Sequence, residues 1–318
     1  MNLLTKIPLS KSENPIDYSS RLLLLGSCFS ENIGAKLEYF KFQGLQNPFG
    51  ILFHLLAIEK LIQKSVYQEV FTEKDVFHAN EQWHSFDAHS CLSNSSKEKI
   101  IDDLNEAVQN TTAQLKKASH IIITLGTAWV YRNNASEKVV ANCHKVPQAN
   151  FTKELLNVDD VKESLKRTIE MVRSINPAAQ FIFSVSPVRH LKDGFVENQL
   201  SKSHLISAVH MVLNDGISYF PSYEIMMDEL RDYRFYAKDM IHPNEVAVDY
   251  IWGKFKSVWV DESMATVMKN VDEIQRGLKH RPFNPVGEAH QKFLTSLSKK
   301  IFRIQKDYPF MEFNTLKT

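Results

Sequence analysis

Apolar positions along the chain fall into two alternating kinds of segment. Arg21–Gly26, His120–Gly126 and Phe181–Ser186 carry short, nearly unbroken apolar runs ending at Gly26, at Gly126 and just before Pro187. Such runs predict strands covered on both faces, as in a parallel sheet between helices. A fourth strand is predicted within 217–225. Between these runs the apolar positions recur at helical spacing. Ser30–Phe40 repeats through Ile33, Leu37 and Phe40, with Ser30 as the predicted N-cap. Further helices are predicted over 51–62, over 97–117 through Ile100, Leu104, Val108 and Leu115, and through Val161, Leu165, Ile169 and Val172 to a stop at Asn176-Pro177. Two more follow, through Leu205, Ala208, Val209 and Val212, and through Val248, Ile251, Trp252, Phe255 and Trp259. Residues 66–96 are polar and irregular.

Strands alternating with helices imply an α/β fold with a mostly parallel sheet. Right-handed crossovers then place helices on both faces, giving three layers, α/β/α. Ligands of such sheets gather beyond the carboxyl ends of the strands. The turns at 26–30 and 126–129 and the loop at 186–194 all lie there. The predicted α/β domain spans 1–260, with a mixed insertion around 60–118. From 261 to 318 the pattern is helical (Phe293, Leu294, Leu297, Ile301, Ile304), interrupted by Arg281-Pro-Phe-Asn-Pro285, and predicts a helical extension packed on that domain.

Composition narrows the classes. The 318 residues carry 38 Lys+Arg against 37 Asp+Glu, a net charge of +1, which argues against a protein built to hold nucleic acid. No apolar run approaches the ~20 residues that span a bilayer. Cys28, Cys91 and Cys143 are odd in number and widely spaced, so they form no disulfide framework. The first residues lack an apolar signal region, and the expected compartment is the reducing cytoplasm.

Three places could carry chemistry. Cys28, in Gly26-Ser27-Cys28-Phe29-Ser30, stands where a strand gives way to a helix. The helix dipole and free amides there would lower its pKa; a buried filler thiol is the other reading. In Asp239-Met-Ile-His242-Pro243-Asn244 the carboxylate and imidazole are spaced to pair on a short turn, leaving one ring nitrogen for a nucleophile. A plain capping turn is the alternative. In Gly126-Thr127-Ala128-Trp129 backbone amides could face the same crevice, or simply make a tight turn. Arg189, His190 and Lys192 could meet polar or anionic substrate groups. His84, Asp87 and His89 lack a metal-site spacing, and no C-x-x-C, H-E-x-x-H, P-loop or G-x-G-x-x-G occurs. No metal, nucleotide or other cofactor is expected.

Taken in order, these blocks resemble the GSCFA-domain proteins, placed in the SGNH (GDSL-type) hydrolase superfamily. Asn47-Pro48-Phe49-Gly50, Trp83–His89, Asn142-Cys143-His144-Lys145 and His280–Pro285 add to the likeness, which runs from about residue 20 to 290. The resemblance implies a flavodoxin-like fold and a nucleophile turn in which Cys28 takes the place of serine. Ser27, next to it, remains a rival. It implies that Asp239 orients His242 as the base, and that Gly50 supplies an oxyanion amide. Gly126 and Thr127 belong to a block whose usual Asn is here Ala128. Asn47, His144 and Lys145 are candidates to replace that donor. The implied activity is hydrolysis of an O-acyl ester, of a small molecule or a glycan, through a Cys (or Ser)-His-Asp acyl-enzyme. An acyltransferase using the same site, and a non-catalytic glycan- or ligand-binding domain, are the alternatives. The sequence leaves the oligomeric state open.

Overall fold

Leucine side chains on the first strand alternate between two cores, and this alternation explains the architecture. In the computed structural model, which describes residues 5–313, Leu23 and Leu25 of β1 (Arg21–Gly26) enter one cluster, and Leu22 and Leu24 enter another. The neighbouring strands β5 (His120–Leu125) and β9 (Gln180–Val185) divide likewise, Ile121, Ile123, Phe181 and Phe183 facing one way and Ile122 and Ile182 the other. Full burial of each such side chain is worth ~1.5–3 kcal/mol. An apolar residue at every position is therefore what a strand covered on both faces requires.

The main sheet has five parallel strands, ordered β2 (Gln43–Gln46), β1, β5, β9 and β10 (Ile217–Phe220). Counted within the sheet this is 2-1-3-4-5, the flavodoxin-like order, with its switch point beside β1. On one face lie α2 (Leu55–Val66), α3 (Lys97–Leu115), α4 (Val158–Ile175) and α5 (Phe195–His210). On the other lie α1 (Cys28–Tyr39) and, after the single turn α6 (Ser222–Glu224), α7 (Glu245–Trp259), α8 (Ala265–Lys279) and α9 (Glu288–Asp307). Met268, Val271, Ile274, Leu297, Ile301 and Ile304 of α8 and α9 share a core with Ile33, Leu37 and Trp252.

Several elements differ from the sequence reading. β2 is an edge strand whose residues, Gln-Gly-Leu-Gln, carry no apolar run. Helix α1 starts at Cys28 with Ser27 in the N-cap position, not at Ser30. Helix α2 starts at Leu55, where the His54 ring accepts from the Ala57 amide. Helix α5 starts at Phe195, ten residues before Leu205. The irregular stretch 66–96 contains a hairpin, β3 (Phe77–Ala79) with β4 (Gln82–His84). A three-stranded antiparallel ribbon of β6 (Trp129–Asn133), β7 (Val139–Val140) and β8 (Phe151–Leu155) follows β5. Among the described residues no helix is long and apolar enough to cross a membrane, and no group of three His, Cys, Asp or Glu could hold a metal ion.

Two buried imidazoles pin the added strands. His54 Nδ1 accepts the Ala57 amide, so the proton sits on Nε2, which donates to Val140 O at 2.9 Å. His144 Nε2 lies 2.7 Å from Ser85 O. Burial holds both rings down at about 4, so they stay neutral. In the unfolded chain a histidine takes up its proton near 6.5. Folding is therefore fully supported above about pH 6.5, and that support is lost as pH falls toward 4. The thermal midpoint should drop steadily over this window, and His54→Gln should make the drop shallower. A midpoint flat between pH 7 and 4.5 would contradict this account.

Candidate active site

The turn after β1 is built around one glycine. Gly26 has φ +127°, and a Cβ there would stand 2.1 Å from Thr124 O on β5. Its amide donates to Asn47 Oδ1 at 3.0 Å, and the Ser27 amide donates to Thr124 O at 3.0 Å. The chain then enters α1 at Cys28. Ser27 is 0% exposed and its hydroxyl has no hydrogen-bond partner, whereas the Cys28 side is partly open to solvent. The Cys28 thiol is pushed up from its ordinary value, first by burial and then by Glu31. The Lys202 ammonium and the amides of Cys28 and Phe29 pull the other way without prevailing. The lowering expected from the helix terminus alone is thus outweighed, because removing a thiolate from water costs more than the end of one helix returns.

The second segment forms the pair that its spacing predicts. His242 Nδ1 lies 2.7 Å from Asp239 Oδ2, while Asp239 Oδ1 accepts the amides of Ile241 (2.9 Å) and His242 (3.0 Å). Those two amides, and then the ring, hold the carboxyl down at about 2. Both side chains are about half exposed, 48% for His242 and 46% for Asp239. With Nδ1 engaged, Nε2 is left for a reactant. The turn ends at Asn244, which caps α7 by accepting from Ala247 N. Met240 at its centre has φ +60°. The Arg189 guanidinium donates to Met240 O and lies over Tyr236, 4.5 Å from the ring centroid. Arg189 therefore braces this turn and is not held out toward a substrate.

Helix α5 adds groups that the sequence did not single out. Helix α5 turns Asn198, Ser201 and Lys202 inward. Asn198 Oδ1 accepts the His190 amide at 2.8 Å, and Ser201 Oγ accepts the Ala128 amide at 2.7 Å. Lys202 Nζ donates to Gly126 O (2.7 Å) and Ser186 O (2.8 Å), just past the ends of β5 and β9. The His190 ring meets Phe53 edge-on, 5.6 Å between centroids, and its buried Nε2 has no partner. Burial, then the charges of Lys202 and His242, keep His190 neutral down to about 3. The loop after β9 meets the His242 turn where the Arg189 amide donates to Ile241 O at 3.4 Å, and Lys202 spans the ends of β5 and β9, so the groups described here gather on the carboxyl side of the sheet, where β1 also ends. Among the described residues no hydrogen bond joins Cys28 to His242.

The remaining predicted residues are distributed unevenly. Gly50, at φ +74°, donates its amide to Asn47 O at 2.7 Å, so that amide is already engaged and is not an open oxyanion donor. The amides of Gly126 and Thr127 both donate to Phe53 O, at 2.8 and 2.9 Å, and so do not face the crevice. Ala128 is fully buried. Asn47 holds Gly26 through Oδ1, which leaves its Nδ2 buried without a partner beside the Cys28 turn. His144 packs among Phe77, His84 and Phe86 near the β3–β4 hairpin. Lys145 follows it as an exposed residue with φ +59°. In their place, His89 and Cys91 stand against Gly50, and the charge of Glu31 acts on Cys28, His89 and Cys91 alike. A signal for α5 was present, since 198, 201, 202 and 205 follow one helical stripe. Asn198, Ser201 and Lys202 are polar, so only its Leu205 end reads as buried.

The model of the GSCFA family matches residues 21–255, which is most of the chain. The chain belongs to the GSCFA family. A second model, the GSCFA domain protein C-terminal domain, matches residues 271–318 and so takes in α9 and most of α8. No curated protein matches this GSCFA chain. Among solved structures, it is similar to a carbohydrate esterase family 3 protein from Talaromyces cellulolyticus, with 10% identity, a TM-score of 0.37, and coverage of 79% of this chain and 99% of the other. It is similar to the same degree to a mutant acetyl esterase solved with an acetate ion, at 11% identity, TM-score 0.37, and 79% and 99% coverage. Both likenesses are shallow, and the functional reading of this GSCFA protein rests on its own residues.

Proposed function

We propose that this GSCFA protein is an SGNH-like hydrolase that cleaves O-acyl esters, of a small molecule or a glycan, with Cys28 as nucleophile. This reading is supported by the Asp239–His242 pair, whose Nε2 is free and whose turn meets the loop leaving β9 through Arg189 N and Ile241 O, on the carboxyl side of the sheet where β1 also ends in the Cys28 turn. Of the two candidate nucleophiles, Ser27 is enclosed and Cys28 reaches solvent. A base is needed, because burial keeps the thiol protonated near neutral pH.

In the first half-reaction His242 Nε2 takes the thiol proton and the sulfur attacks the ester carbonyl. The carbon–oxygen bond to the alcohol then breaks, and His242 returns the proton to the departing alkoxide. In the second half His242 takes a proton from water, hydroxide attacks the thioester, and the acid leaves as the sulfur regains its proton. Asp239 keeps the ring in the tautomer that allows this and stabilises the imidazolium. The amides of Cys28 and Phe29, which favour negative charge at the sulfur, are the donors proposed for the developing oxyanion. One observation favours a binding-only domain instead: Ala128 replaces the usual Asn while the amides of Gly50, Gly126 and Thr127 are engaged elsewhere.

Acyl trapping separates the two readings. Incubation with an activated acetyl ester, acid quench and peptide mass spectrometry should find one acetyl group on the peptide holding Cys28. None should form in His242→Ala on the same timescale. Acetylation at Ser27 would move the nucleophile to that residue, and none anywhere alongside unchanged ester stability would end the esterase proposal.

A further inference from the structure

A groove of about 1030 Å³ takes no part in the steps above. That volume is at the upper end of the roughly 300–1,000 Å³ of small-molecule sites, so more than one ring fits. Three stretches of chain line it: segment 5–8, most of segment 228–235 where the chain leaves the π-helical turn Ile225–Glu229, and Val246 and Tyr250 of α7. They are fastened at one buried point. Glu229 is 3% exposed, and its carboxylate accepts the Ile7 amide at 2.6 Å, Lys254 Nζ at 2.8 Å and the Tyr250 hydroxyl. The groove is therefore set before a ligand arrives, and binding need not pay to order it.

Charge along the lining cancels. Lys6, Arg231 and Arg234 face Asp228, Glu229 and Asp232. Arg231 pairs with Asp228, Arg234 with Asp232 at 2.8 Å, and Glu229 with Lys254. A ligand carrying several charges would have to break these pairs, and an uncharged one would not. The two arginine pairs also keep most of their hydrogen-bonding capacity, since a guanidinium has five N–H donors and a carboxylate about four acceptor sites. Donors and acceptors set side by side suit neighbouring hydroxyls, each of which both gives and takes a hydrogen bond. Leu230, Phe235 and Val246 add apolar surface, with the Arg234 guanidinium 5.7 Å from the Phe235 ring centroid. A pyranose divides in the same way, with hydroxyls around its edge and C–H groups on its faces.

The groove also adjoins the turn that carries His242. The Asn244 amide donates to Phe235 O at 2.9 Å, Asn244 Nδ2 to Arg234 O at 2.7 Å, and the Ala237 amide to His242 O at 2.7 Å. We propose that this groove binds a short uncharged oligosaccharide, held by the Arg231–Asp228 and Arg234–Asp232 pairs and seated on Phe235 and Val246. The inference does not rest on Cys28 or on ester cleavage.

The test is calorimetric titration of the full chain with cellotetraose, xylotetraose, mannotetraose and acetylated chitotetraose, beside two anions, tetragalacturonate and octanoate. At least one of the neutral sugars should bind, and more tightly than either anion. Its binding should slow amide hydrogen exchange in the peptide spanning 228–235. Val246 is 63% exposed and lies in the first turn of α7, where a carboxylate suits the helix end, so Val246→Glu should fold as wild type. It should weaken sugar binding by at least about tenfold, as loss of an apolar anchor does. No binding of any neutral sugar, preference for an anion, protection confined to other peptides, or binding that Val246→Glu leaves unmoved would each overturn the proposal. The titration consumes no ester. Sugar binding without esterase activity would retire the proposed function alone, and ester turnover without sugar binding would retire this inference alone.

Discussion

Replacing His242 by alanine should lower kcat/KM for an activated acetyl ester by about 10³-fold, within the range that a positioned general base supplies. The expectation is large because the Cys28 thiol is held above its ordinary pKa by burial and does not ionise unaided at neutral pH. Asp239 fixes Nδ1 of the ring and leaves only Nε2 to accept the proton. The side chain is half exposed and makes no core contact, so the variant should melt close to wild type. Cys28→Ala should abolish turnover, and the double variant should be no worse than Cys28→Ala alone, since both residues serve one proton transfer. Steady-state kinetics beside thermal melts check this. His242→Ala retaining more than a tenth of wild-type kcat/KM would remove the imidazole from the mechanism.

Gly26→Ala should be the most damaging single change to stability, with a loss of at least about 3 kcal/mol. Two effects combine. The residue sits at φ +127°, where an L side chain is strained, and the new Cβ would lie 2.1 Å from Thr124 O, a backbone atom of the neighbouring strand. The strand cannot yield without breaking the bond from the Ser27 amide to that same oxygen. Gly253 supplies the comparison. A Cβ there meets nothing within 4 Å, and the residue lies within α7. Gly253→Ala should therefore stabilise the protein by roughly 0.5–1 kcal/mol. Urea unfolding of the two variants should show opposite shifts. A small effect at Gly26 would mean that β1 and β5 separate more easily than their register implies.

How far such features could be read from residues alone depended on where each element lies. β1, β5 and β9 are interior strands with both faces covered, so their apolar runs left little ambiguity. β2 lies at the edge, where two glutamines and a glycine suffice, and nothing in its pattern marks a strand. The β3–β4 hairpin and the β6–β8 ribbon are short, mixed in polarity and outside the main sheet, so they read as loop. The Asp239–His242 pair was legible because it forms within four consecutive residues. The start of α1 was not: it turned on whether Ser27 or Ser30 precedes the first helical turn, and that one detail decides which of Ser27 and Cys28 meets solvent. Lys202 was hidden for a different reason. A lysine in a helix ordinarily points to water, and only the surrounding backbone carbonyls reveal that this one does not.

The grip of Arg189 on the carbonyl of Met240 couples two stretches of chain that the sheet itself does not connect. One is the connector leading out of β9, with His190 next in line; the other is the hook that carries the imidazole. Because that hook is wound through a left-handed residue and anchored at its far side by the cap of α7, it has little freedom of its own. A displacement of the connector at Arg189 would pull on Met240 O, two residues before His242, so the placing of that loop bears on the aim of the base.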